Sequence, residues 1–172
     1  MKKALLSFVF LFFITTFSGI AQELTPIAYN DNLVSITDQL YEKGQKWGEQ
    51  FNIVYKSKDF ASLKPYRDSL ENFIDTKINE LNKMEDVSNS SELRTAMLSF
   101  LGFEKRMAEE AFKPMDQLSP TASAEEIQAA IDHISLLSDN ETIELKKLGE
   151  AQQAYAASND FTIAEPEENS QQ

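Results

Sequence analysis

The sequence predicts an all-α protein, an antiparallel up-down-up-down four-helix bundle that follows a cleavable signal peptide. Three observations predict it. Four segments carry apolar residues at helical spacing, each bounded by residues that start or stop helices. The chain holds only five glycines and five prolines, too few for the turn-rich chain of a β-sandwich. The connections between segments are about two to eight residues long, which leaves no room for a crossover running back along the bundle.

The chain opens with Lys2 and Lys3, a nearly unbroken apolar run from Ala4 to Ile14, and Ser18-Gly19-Ile20-Ala21 ahead of Gln22. A basic start, a short apolar core and small residues before a cut are the parts of a bacterial secretory signal, and the core is too short for a permanent anchor. Residues 1–21 are therefore expected to be removed. Residues 22–163 are expected to form a single four-helix domain and residues 164–172 a disordered acidic tail.

The first helix starts at Thr25-Pro26, a capping hydroxyl followed by proline where a missing N–H costs nothing. It is expected to run to about Lys58. Leu33, Leu40, Trp47 and Val54 repeat every seven residues, with Ile36 and Phe51 between them, which is the seam of a bundle helix. Gly44 and Gly48 interrupt this helix; either a neighbour approaches closely there or the glycines are tolerated on an exposed face. Tyr29, Tyr41, Tyr55 and Phe60 are read as widening the buried face rather than as a partner-binding patch.

Ser57 or Asp59 can cap the second helix, with Leu63, Tyr66, Leu70, Phe73, Ile74, Ile78, Leu81 and Met84 as its stripe. Pro65 means that it either begins near Lys64 or starts at Phe60 and bends. After a polar turn from Asp86 to Ser91, whose serines and Asn89 offer caps, the third helix carries Leu93, Met97, Phe100, Leu101, Met107, Ala111 and Phe112. It is expected to end near Leu118, with Pro114 kinking its last turn. Ser123 and Glu126 form a capping box for the fourth, whose stripe is Ile127, Ile131, Ile134, Leu137, Leu145, Leu148 and Tyr155. Ser138-Asp139-Asn140-Glu141 reads like a second cap. The heptad phase held across it favours one continuous helix, stopped by Asn159-Asp160, with Phe161 and Ile163 docking back.

Composition narrows the functional classes. Asp and Glu number 28 against 16 Lys and Arg, giving a formal charge of −12 that grows more negative once Lys2 and Lys3 leave. Binding a polyanion needs a basic surface, so nucleic acid is not an expected partner, nor is an anionic membrane. With no cysteine there is no lipid attachment site after the cut, no disulfide and no thiolate chemistry. A periplasmic or extracellular location follows from these expectations, without a stable membrane anchor after cleavage.

The residues that could carry chemistry are few. Glu104 falls in phase with Met97, Phe100 and Met107, and Glu141 with Ile134 and Leu148. A di-iron site in a bundle needs several inward carboxylates and Glu-x-x-His pairs on two helices, and the single histidine, His133, belongs to no such pair. Both carboxylates are therefore read as rim or salt-bridged residues, and no metal site is expected. If the fourth helix returns beside the third, His133 and Met107 stand at similar height, which makes them the candidate pair for an axially ligated haem or other cofactor. Packing explains both residues more simply, so no cofactor is expected. His133 is also the sole conventional base for a nucleophile, and neither a G-x-S-x-G elbow nor a glycine-rich phosphate loop occurs, so no catalytic residues and no enzyme activity are expected.

Pro26-Ile27-Ala28-Tyr29-Asn30-Asp31 and Leu148-Gly149-Glu150-Ala151-Gln152-Gln153-Ala154-Tyr155-Ala156, with Phe161 following, resemble a family of small exported helical surface proteins of the leptospiral type, also found among Bacteroidetes. The resemblance spans about Pro26 to Ile163. It implies an exported helical protein at the cell envelope and carries no site residue with it. The resulting expectation is a non-enzymatic envelope or cell-surface protein that interacts with a protein partner or serves a structural role. The alternative is a bundle that binds a small apolar ligand, haem or metal between its helices.

Overall fold

The computed structural model describes residues 24–163; the leader assigned to residues 1–21 and the tail assigned to 164–172 lie outside the described residues. Everything described is helix and connection, with no strand. Four rods account for it. Helix α1 is Pro26–Ser57, α2 is Lys64–Lys83, and α5 is Ala124–Ser158. The third rod is composite: α3, Ser91–Met107, runs through a π turn at Ala108–Phe112 into the short α4, Lys113–Asp116.

The helix ends follow local chemistry. The Thr25 hydroxyl accepts from the Ala28 N–H at 3.2 Å, and Pro26 occupies the first helical position. A 3₁₀ turn, Phe60–Leu63, leads into α2 and puts Pro65 in its first turn, so the proline causes no interior kink. Ser123 accepts from the Glu126 N–H, and the Glu126 carboxylate accepts from the Ser123 N–H. Ser90 departs from expectation. Its hydroxyl makes no cap bond to α3; it accepts from Val87 N–H at 3.0 Å and donates to Asp86 at 2.8 Å, closing the turn whose Ser88 and Asn89 have positive φ.

The π turn comes just before Pro114. The ring of a proline in a helix clashes with the carbonyl four residues back and deprives it of a donor. Widening the preceding turn, so that the Lys113 N–H reaches the Ala108 carbonyl, opens the ladder where Pro114 would break it. At the position where a kink was expected, the helix takes up an added residue. That residue resets the facing of the rod: Met107 packs towards Ile134 and Leu137, Phe112 stacks on Trp47 with ring centroids 4.0 Å apart, and Met115 joins Phe60 and Leu63.

The core is divided into three clusters. The largest contains Tyr29, Leu33, Leu40, Leu70, Ile74, Phe100, Leu148 and Tyr155; a second gathers Trp47, Val54, Phe60, Leu63, Met115 and Ile127; a third holds Phe103, Met107 and Ala111. An ion-pair network ties α2 to α4: Arg67, 5 % exposed, donates to Asp116 at 2.5 Å and to both Glu71 oxygens at 2.9 Å. Tyr155 pins the end of α5, donating its hydroxyl to the Val87 carbonyl at 2.9 Å and packing its ring on Tyr29 and Phe161.

Helix α5 is continuous across Ser138-Asp139-Asn140-Glu141 and ends at Ser158. Its buried residues are Ile127, Leu148, Tyr155 and Ala156 alone, so the stretch between Ile127 and Leu148 contributes nothing fully buried. Leu145, expected in the stripe, is 44 % exposed. On α1, Tyr29 is buried, whereas Tyr41 and Tyr55 stand out at 68 % and 49 % exposed, against the expectation for that group. Each follows a seam residue, Leu40 or Val54, and one step along a helix turns a side chain by about 100°.

No close neighbour explains Gly44 and Gly48, since a methyl group added at either meets nothing within 4 Å. Gly48→Ala is therefore expected to raise stability by about 0.5–1 kcal/mol in urea denaturation through helix propensity alone. Trp47→Ala, which empties the space between Phe51 and Phe112, is expected to cost about 3–5 kcal/mol; an unchanged midpoint would place Trp47 outside the core.

Candidate functional site

Where the three core clusters meet, the bundle leaves a cleft of about 440 Å³. Leu40, Leu70 and Phe100 come to it from the largest cluster, Trp47 from the second and Met107 from the third. Its remaining side is the middle of α5, where Ile134, Ser138, Glu141 and Leu145 line it. The cause is local: a helix with little buried side chain over this stretch cannot fill the space between α1 and α3. Gly44 widens the α1 wall by presenting no side chain, and the exposed Tyr41 and Leu145 stand at the mouth. A broader depression on α1 and α2, lined by Gln39, Lys43, Asp68 and Asn72 among others, is shallow and polar.

Glu104 enters the cleft wall from α3 and is 8 % exposed. It is the reverse of the rim residue expected. Its Oε1 is buried with no hydrogen-bond partner among the described residues, and no described cation forms an ion pair with it. Desolvation pushes its carboxyl up to about 8, and the Glu141 carboxylate adds to the push. Glu141 is itself half-buried, and burial raises it above the ordinary carboxylate range. At neutral pH Glu104 is thus mostly a neutral acid in an apolar wall. Trp47 brings a second unsatisfied group, its Nε1 being buried without a partner among the described residues. Each such orphan costs on the order of 1–3 kcal/mol.

The residues proposed from sequence are distributed differently. Met107 is buried on the cleft wall, while His133 is exposed and takes no part in that wall. The heights match, because Met107 packs beside Ile134 and Leu137; the imidazole simply faces away. Among the described residues no three His, Asp or Glu side chains gather closely enough to hold a metal ion. Sequence reasoning saw the phase of Glu104 and Glu141 but assigned them to the surface. The signal that could have corrected it is Glu141 itself, which takes the heptad position between Ile134 and Leu148 where a core residue would be expected. No protein-family model, curated protein or solved structure matches the chain.

Burial of Glu104 sets a pH dependence whose sign follows from linkage. Below about pH 4.5 folded and unfolded chains both hold its proton; between 4.5 and about 8 the unfolded chain releases it and the folded chain does not. Stability attributable to this group therefore falls as pH rises through that window and levels off above it. Glu104→Gln removes the dependence. Thermal melts are expected to show parent and variant close together at pH 4.5 and the variant ahead by roughly 3–5 kcal/mol at pH 8.5; a gap that stays constant with pH would rule out a buried neutral acid.

Proposed function

We propose that this chain is an exported up-down-up-down four-helix bundle that binds a small, largely apolar molecule in the Glu104 cleft and does not catalyse a reaction. The observation that carries the binding reading is the apolar cleft of about 440 Å³ with unsatisfied polar atoms in its wall. That volume falls within the range of roughly 300–1,000 Å³ common to small-molecule sites, which combine apolar lining with few polar anchors. An occupant would relieve a cost that the unliganded fold bears, the bare apolar wall.

The topology is supported by cross-helix pairs whose numbers run in opposite directions: Lys43 with Ser69 and Gln50 with Ser62, Asp75 with Lys105 and Arg67 with Asp116, Ser99 with Glu144 and Val87 with Tyr155. Export rests on the leader-like residues 1–21, and the placement at the envelope on the resemblance to exported surface proteins. The binder is preferred to an enzyme because the cleft wall offers the hydroxyls of Thr37 and Ser138 without a histidine or lysine to activate them.

A second reading, interaction with another protein through the surface, is favoured by Ile27, Val34, Tyr41 and Tyr55. These exposed residues lie seven or fourteen apart along α1.

Trp47 is the only tryptophan and lies on the wall, so occupancy is readable by fluorescence. Titration of the mature protein with 1-octanol is expected to give a saturable change. Gly44→Phe, which projects a ring into the open mouth, should abolish that change with helicity retained. A linear, unsaturable response in the parent would count against the cleft and leave the surface reading.

A further inference from the structure

We propose that the ligand of the cleft is an organic cation, a primary ammonium group on an apolar body, with the ammonium held between Glu104 and Glu141. This deepens the binding reading above and rests on it. The ionisable groups of the wall are all acids. Asp38 lines it from α1, Glu104 from α3 and Glu141 from α5, α2 brings Leu70, and no Lys, Arg or His is among the wall residues. Carboxylates facing one another at partial burial repel, and an ammonium is the group that both ends the repulsion and supplies N–H donors.

The second, independent observation is the Glu104 side chain itself. It is more than nine-tenths buried, it lines the cavity, and its Oε1 accepts no hydrogen bond among the described residues. A buried carboxyl that lines the cavity with no partner marks where a donor on the ligand belongs.

Other occupants satisfy the wall less well. A fatty acid or other anion would set another carboxylate among three acids. An uncharged apolar molecule would leave Glu104 unpartnered and desolvate Glu141 further. A divalent metal ion requires about six oxygen donors, which this gathering does not offer. An ammonium needs only two or three acceptors, and its hydrocarbon body finds Leu40, Phe100, Met107 and Ile134.

Binding of this kind is proton-linked. Free Glu104 holds its proton up to about pH 8, while an alkylammonium, like the lysine side chain, keeps its own to about pH 10. Capture of the cation therefore displaces the Glu104 proton to solvent at neutral pH. Affinity rises as pH climbs from 6 to about 8.5 and falls again once the amine is neutralised.

The test uses three probes of equal chain length, octylammonium, 1-octanol and octanoate, titrated into the mature protein by calorimetry and Trp47 fluorescence at pH 7 and pH 8.5. Octylammonium is expected to bind at least about tenfold more tightly than octanol, and octanoate more weakly than either. Calorimetry in two buffers of different ionisation enthalpy should show proton release with octylammonium alone. Glu104→Gln and, separately, the half-exposed Glu141→Gln should each weaken octylammonium about tenfold and narrow its lead over octanol. Octanol binding as well as octylammonium in the parent would overturn the cation and leave the apolar-ligand reading standing. Saturable binding by none of the three would overturn both.

Discussion

The structure depends on how α5 is held. A helix of 35 residues buries side chains fully only near its two ends; between them Ile134 and Leu137 are half-buried against Phe103 and Met107. At its start, Ile127 enters the cluster around Trp47, Val54 and Phe60. At its end, Leu148 and Tyr155 enter the largest cluster, and Tyr155 adds ring contacts and a bond to Val87. The division of the core, the cleft between the clusters, and the partial burial of Glu104 and Glu141 all follow from this spacing of contacts.

Within that arrangement Glu104 is a compromise between stability and a possible role. A methionine or leucine at the same point would fill the wall without desolvating an acid, and buried carboxyls lacking partners are uncommon because their cost is large against a net stability of only about 5–15 kcal/mol. The fold carries that cost together with the unpartnered Tyr29 hydroxyl and Trp47 Nε1 among the described residues, while Arg67 is surrounded by Asp116, Glu71 and Asp68, and the buried Asn30 accepts from Gln152 at 2.9 Å. Strongly perturbed buried acids of this kind concentrate at places where proteins act on other molecules. The π turn one step along the same rod belongs to the same locality, since it directs Phe112 onto Trp47 and leaves Met107 facing the cleft.

Much of the fold was legible because it is written in local chemistry. Thr25-Pro26 and the Ser123–Glu126 box are short-range signals that tertiary packing has no reason to override, and the heptad phase of Ile127, Ile134, Leu148 and Tyr155 bridges the polar run in α5. What escaped the sequence depends on facing surfaces. Pro114 announced a disturbance without saying whether the chain would kink or take up an extra residue. Tyr41, Tyr55 and Leu145 lie at the edges of apolar stripes, where a small rotation of the helix decides between core and solvent. The site was half visible: the inward phase of Glu104 and Glu141 could be read, but whether a carboxylate in phase with a core reaches water depends on the opposite wall. Here that wall is set by Gly44 on one helix and Ser138 on another.

The anchoring of α5 also has a mechanical consequence. A beam clamped at both ends cannot swing open like a door. The Ser123 box and Ile127 form one clamp, and Tyr155, Phe161 and the bond from Asn159 to the Ser88 carbonyl form the other. The span from Ser138 to Leu145 is therefore the part of α5 with the least buried packing to resist displacement.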